Sequence, residues 1–174
     1  MTKQRSNLPL RIAGLVAGII LAASFLLAWR VPASSGRLGA DMRLVALVPG
    51  ELTATPKDFF LSARAMKPGD PPKTGVLLVR NITTGAADVR VKALPSDPTL
   101  ARAARMELRS GGRVLARGSV AALRTPSRPM HIPLGKAVQL EARVWIPRSA
   151  KHGYEARFAD VTMDLHAELQ KDAR

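Results

Sequence analysis

Residues 138–147 read VQLEARVWIP, and this stretch decides the fold class. The even-numbered residues from 138 to 146 are all apolar, and the residues between them are polar, charged or, at Trp145, aromatic. A period of two is typical of a β-strand that buries one face and leaves the other in water. Pro147 has no backbone N–H to donate, so the strand is predicted to end there.

The same period recurs elsewhere in the chain. Residues 89–93 and 161–167 alternate in the same way, whereas GVLLVR at 75–80 is a continuous apolar run that predicts a central strand. Roughly eight short strands, separated by turns that contain Gly and Pro, predict an all-β domain. We expect an antiparallel β-sandwich of the jelly-roll type over residues 42–170.

Two local signals lie between the strands. Ser110-Gly111-Gly112 separates two apolar segments and predicts a hairpin turn. Residues 97–105, DPTLARAAR, are predicted to be helical, with Asp97 as the N-cap and Pro98 in the first position.

An apolar run, IAGLVAGIILAASFLLAW, occupies residues 12–29 without one charge. As a helix it would be about 27 Å long, which is short for a membrane span and long for the apolar part of a signal peptide. Two alternatives therefore stay open for residues 1–33: a signal peptide cleaved after Ala33, or a signal-anchor helix. Residues 34–41 are mostly small and predict a linker.

Charge gives the orientation of this segment. Lys3, Arg5 and Arg11 precede the apolar run, and the first acidic residue is Asp41. Cationic flanks favour the cytoplasmic side. Arg outnumbers Lys 19 to 8, a composition typical of a GC-rich bacterial genome. The sequence thus predicts either a single-pass protein of the bacterial cell membrane with its C-terminal domain outside, or a secreted protein.

Little in the sequence indicates an enzyme. The 174 residues include no Cys and three His, which excludes thiolate metal sites and Cys nucleophiles. Motifs of metalloproteases, serine hydrolases and nucleotide-binding enzymes are absent from the sequence. Asp164, His166 and Glu168 share one face of a predicted strand and could hold a divalent cation, but a solvated outer face explains them better. We therefore assign no catalytic, metal or cofactor-binding residue and expect no cofactor.

The tripeptide Asn81-Ile82-Thr83 fits the N-glycosylation sequon. In a bacterial chain it is better interpreted as a turn that ends a strand.

The strongest functional signal is basic charge. The chain carries 27 Lys and Arg against 13 Asp and Glu, a net charge of +14. Residues 102–128 hold one acid, Glu107, among seven arginines that are candidate contacts to an anionic partner: Arg102, Arg105, Arg109, Arg113, Arg117, Arg124 and Arg128. Outside a cell that partner would be a wall polymer, a phospholipid headgroup or extracellular DNA. Aromatic residues for base stacking are scarce there, which excludes sequence-specific nucleic-acid binding. The alternative is a solubilising surface.

A short apolar strand follows the predicted linker. Its residues are Leu44, Val45, Ala46, Leu47 and Val48. Such a strand can pair within its own sheet or donate itself to the open edge of a neighbouring copy. Pairing within its own sheet is favoured because a short linker makes local pairing easier.

The order of motifs over residues 52–169 resembles the TasA/camelysin family of exported bacterial proteins. The motifs are Phe59-Phe60-Leu61-Ser62, Met66-Lys67-Pro68-Gly69-Asp70, a strand ending in Asn81 with Gly85 behind it, a helical insert, Met106-Glu107-Leu108-Arg109, Leu115-Ala116-Arg117-Gly118, Pro133-Leu134-Gly135, and strands at 140–147 and 160–168. The resemblance implies a jelly-roll domain and a role in biofilm matrix fibres. It also implies, through camelysin, the alternative of a surface metalloprotease.

These observations predict an exported, non-enzymatic protein of the cell envelope or extracellular matrix, with a structural or assembly role. Two alternatives stay open: the surface metalloprotease and a basic binding module for anionic cell-wall polymers. The expected partners are the membrane, through residues 12–29 if they are not cleaved, a second copy of the chain, and an anionic envelope polymer.

Overall fold

The computed structural model describes residues 39–170. The predicted leader at 1–33 and most of the predicted linker lie outside these residues. Within 39–170, none of the helices has both the length and the apolar character needed to cross a membrane.

The described residues form ten strands, one short α-helix and one turn of 3-10 helix. In chain order these are β1 Ala40–Leu47, β2 Leu52–Thr55, β3 Phe59–Met66, β4 Lys73–Asn81, β5 Ala87–Pro95, α1 Pro98–Ala103, β6 Arg105–Ser110, β7 Arg113–Ser119, the 3-10 helix Ala122–Arg124, β8 Met130–Ile132, β9 Ala137–Trp145 and β10 Phe158–Leu169. The all-β prediction is confirmed, and the first strand starts at Ala40, two residues before the predicted domain boundary.

Two five-stranded sheets share one core. The first has the strand order β3-β1-β10-β5-β8 and the second has β2-β4-β9-β6-β7. Neighbouring strands are antiparallel except for β1 and β10, which run parallel with Leu44 opposite Val161. The sheets are therefore mostly antiparallel, as predicted, and this pair is the exception among the named strands. No short connection joins β1 to β10, so hairpin geometry does not impose an antiparallel direction on them.

The predicted alternation is confirmed in the core. Val91 and Met163 of the first sheet and Leu77 and Leu140 of the second belong to the same core, and each is at most 1% exposed. Burying a side chain of this size contributes about 1.5–3 kcal/mol.

Strand β4 departs from its prediction. It lies between β2 and β9, as expected of an interior strand, but only one of its faces is buried. Val76 is 45% exposed and Leu78 41% exposed on its outer face. A continuous apolar run predicts burial on both faces only where a further layer covers the sheet, and within the described residues no such layer covers β4.

The two local signals are confirmed with one change. Gly111 and Gly112 adopt φ values of +54° and +79° between β6 and β7, a conformation that favours glycine. The side chain of Asp97 caps α1 as predicted. The helix ends at Ala103 rather than at Arg105, because Ala104 is extended and leads directly into β6.

The structure places β1 inside the first sheet. Residues 41–47 pair with β10 on one side, and β3 pairs with the other side. Leu44 to Leu47 therefore belong to a strand with both edges occupied, and Val48 follows that strand. This arrangement matches the favoured interpretation of residues 44–48, in which they pair within their own sheet. A donor role would require β1 to leave both of its neighbours.

Candidate anion-binding site

Arg102 and Arg105 meet in one cleft, which we call the basic cleft. Arg102 lies in the last turn of α1, and Arg105 is the first residue of β6. Lys151 and His152, from the connection between β9 and β10, line the same cleft of about 320 Å³. The remaining lining residues are Thr99, Ala103, Pro147, Ser149, Ala150 and Tyr154, so the lining contains no carboxylate.

Asp97 holds the helix side of the basic cleft in place. Its Oδ1 accepts hydrogen bonds from the backbone N–H groups of Thr99 and Leu100, at 2.7 and 2.8 Å. Its Oδ2 accepts a third from Arg157, at 3.0 Å. The Leu100 bond, followed by the Arg157 contact, holds the pKa of Asp97 below its usual range. Since Arg157 precedes β10, this carboxylate ties α1 to the connection that carries Lys151 and His152.

Glu155 holds the loop side of the basic cleft in place. Its Oε1 lies 2.8 Å from His152 Nδ1, and its Oε2 accepts a hydrogen bond from the backbone N–H of Gly153 at 2.6 Å. Its own backbone N–H, then the contacts with His152 and Gly153, lower the pKa of Glu155 to about 2. Both oxygens are therefore occupied within their own loop. Tyr154 beside it is buried, and this burial raises the pKa of its hydroxyl.

Two more of the predicted arginines surround Glu107 on the outer face of the second sheet. Arg109 Nε lies 3.2 Å from Glu107 Oε1, and Arg117 Nε lies 3.4 Å from Oε2. The Arg109 contact is an ion pair without hydrogen-bond geometry, since its Nε is buried and has no hydrogen-bond partner. Glu107 is only 9% exposed, so the guanidinium groups of Arg109 and Arg117, rather than solvent, balance its negative charge. Arg109 and Arg117 consequently offer less positive charge to a partner than the sequence suggests.

A second cleft lies beside this cluster, and we call it the aromatic cleft. Trp145 of β9 lines it together with Arg117, Arg143 and Arg148, and its volume is about 490 Å³. The other lining residues are Gly69, Asp70, Pro72, Glu107, Ile146 and Pro147. The guanidinium carbon of Arg117 lies 6.0 Å from the centre of the Trp145 ring, within the range of a cation–π contact.

The last three predicted arginines line neither cleft. Arg113 begins β7, Arg124 ends the 3-10 helix, and Arg128 lies in the connection to β8; all three are exposed. The structure thus separates the seven arginines into a cleft pair, a pair around Glu107 and three scattered side chains. Sequence reasoning missed Lys151 and His152, because only the β9–β10 connection brings them to α1.

The acidic and histidine side chains considered for a metal lie on other surfaces. Across residues 39–170, groups of three or more His, Asp and Glu with the spacing of a metal site are absent. His166 is exposed on the outer face of β10, and His131 Nδ1 lies 3.1 Å from Asp88 Oδ1.

Asn81 of the sequon is fully buried, and its amide donates hydrogen bonds to the carbonyls of Gly85 and Ile132. This confirms its interpretation as a turn that ends β4.

No family model matches the chain, and no curated protein matches it in sequence. Among solved structures, the "N-terminal domain of PorA" is similar with a TM-score of 0.30 and 10% sequence identity, over 74% of this chain and 88% of that one. A TM-score of this size carries no inference about fold or function, so the site rests on its own geometry.

Proposed function

We propose that this chain is an exported, non-enzymatic envelope or matrix protein whose β-sandwich binds an anionic cell-wall polymer through the basic cleft. The same proposal includes two further points. The sandwich is a jelly roll related to the TasA/camelysin family, and residues 1–33 are a signal peptide or a membrane anchor. The observation that carries it is the convergence of Arg102, Arg105 and Lys151 on a cleft without a carboxylate in its lining.

The charge balance of the cleft supports an anionic ligand. Two guanidinium groups and an ammonium group repel one another when they share a cleft, and a bound anion offsets that repulsion. Arg102 makes only a 3.5 Å contact with Thr99 Oγ1, and Arg105 and Lys151 form no ion pair among the described residues. Their donors are therefore available for charge-assisted hydrogen bonds to phosphate, sulfate or carboxylate oxygens.

The full-length protein in detergent tests this proposal with polyphosphate as the probe. We expect Arg102→Ala/Arg105→Ala to weaken binding about tenfold at low salt, which corresponds to about 1.4 kcal/mol. Both side chains are exposed, and an exposed ion pair contributes about 0.2–1 kcal/mol. Arg124→Ala/Arg128→Ala removes the same charge away from the cleft and is expected to weaken binding about twofold. Equal losses in the two variants would show that net charge alone attracts the probe and would overturn the cleft assignment.

A further inference from the structure

The two clefts differ in chemistry. Donors and cations line the basic cleft, whereas the aromatic cleft combines an indole ring with three guanidinium groups and the carboxylates of Asp70 and Glu107. A bare phosphate has no apolar face with which to stack on an indole ring. A sugar ring has an apolar C–H face that stacks on an aromatic ring, and its hydroxyl groups both donate and accept hydrogen bonds. The aromatic cleft therefore suits a saccharide better than a simple anion.

The side chains of the aromatic cleft are held in position by their own contacts. Arg143 Nε donates to Glu141 Oε1 at 2.6 Å. The stem of Arg148 packs on Gly69, whose φ is +83°, and a Cβ at Gly69 would lie 2.8 Å from Arg148 Cγ. Asp70 Oδ2 accepts a hydrogen bond from the backbone N–H of Lys67 at 2.9 Å. Groups fixed before binding lose less conformational entropy when a ligand arrives.

The two clefts are adjacent. Pro147 lines both of them, and Trp145 pairs directly with Arg105 across β9 and β6. Facing residues on neighbouring antiparallel strands have Cβ atoms about 4.5–5.5 Å apart. One polymer chain that places a sugar ring at Trp145 can therefore bring an acidic group to Arg105.

We infer that the aromatic cleft binds a sugar ring and that the ligand of this protein is an acidic polysaccharide. This inference rests on the proposed function, since the basic cleft supplies the contacts to the acidic groups. Trp145 is the stacking platform, and Arg143 and Arg148 donate to ring hydroxyl or carboxylate oxygens.

The experiment uses the full-length protein carrying Trp29→Phe, which leaves Trp145 as its only tryptophan. The probes are oligosaccharides of alginate, which carry a carboxylate on every ring, and polyphosphate of matched charge. We expect alginate, but not polyphosphate, to protect Trp145 from quenching by acrylamide. We expect Trp145→Leu to weaken alginate binding about tenfold and polyphosphate binding less than twofold, because only the sugar ring stacks on the indole.

Arg148→Ala gives a second readout, because this exposed side chain is outside the core. It is expected to weaken alginate binding several-fold and to leave thermal unfolding unchanged. Absent alginate binding, or equal losses for both probes in Trp145→Leu and Arg148→Ala, would overturn the saccharide inference. Failure of the proposed function is a separate result, in which polyphosphate binding does not depend on Arg102 and Arg105.

Discussion

The sequence predicts a functional role for strand β1 and for the basic stretch 102–128. The two regions differ in how far the fold keeps their residues together. The segment β1 keeps its residues together in one strand with neighbours on both sides. The basic stretch is divided among a helix, an edge hairpin and a connection, so only part of its charge converges. Apolar alternation thus indicates which face of a strand is buried, whereas charge density along the chain does not give charge density in space.

The largest expected effect tests the buried position of β1. Leu44 is fully buried between the sheets, so Leu44→Ala is expected to lower the free energy of unfolding by about 2–5 kcal/mol. Val45, its neighbour on the outer face, is only half-buried, and Val45→Ala should cost less than about 1.5 kcal/mol. Urea unfolding of the full-length protein in detergent measures both. Similar losses in the two variants would place β1 outside the core.

An intermediate effect is expected at the cap of α1, which positions Arg102. Asp97→Ala removes the hydrogen bonds to Thr99 and Leu100, and the loss of such a cap costs about 0.5–2 kcal/mol. Asp97→Asn keeps a side-chain oxygen for the cap and is expected to retain most of that stability. Thermal unfolding and polyphosphate binding of both variants report on the cap. An Asn variant as unstable as the Ala variant would assign the effect to the Arg157 pair instead.

The smallest effect concerns pH at the loop side of the basic cleft. The pKa of Glu155 is about 2 in the folded protein, below its ordinary value of 4.5, so the unfolded chain takes up this proton first. The stabilising contribution of Glu155 is complete above about pH 4.5 and is lost as the pH falls toward 2. Glu155→Gln should therefore lose less stability than the parent as the pH falls from about 4.5 to about 2.

Glu51→Gln, at an exposed acid without an ion pair among residues 39–170, serves as the matched control in the same titration. If the stability of the parent and that of Glu155→Gln fell identically with pH, the bonds from Glu155 to His152 and Gly153 would not persist in solution.

Local patterns in the sequence predicted the alternating strands, the Gly111-Gly112 hairpin and the Asp97 cap, because each depends on residues close in the chain. The parallel partner of β1 could not be predicted, since it lies more than a hundred residues away. The same limit applies to the candidate site. Trp145 belongs to the stretch that decided the fold, yet only the register of β9 and β6 places it beside Arg105, and only the β9–β10 connection brings Lys151 to α1.

The parallel pairing of β1 with β10 also has a mechanical consequence. Ala40 lies at the starting end of β1, and Leu169 lies at the finishing end of a strand that runs in the same direction. A force applied between these two residues pulls the strands past each other along their length. The backbone hydrogen bonds between residues 41–47 and 158–164 are then loaded together in shear rather than opened one after another. This arrangement equips the sandwich to bear tension between its first and last strands.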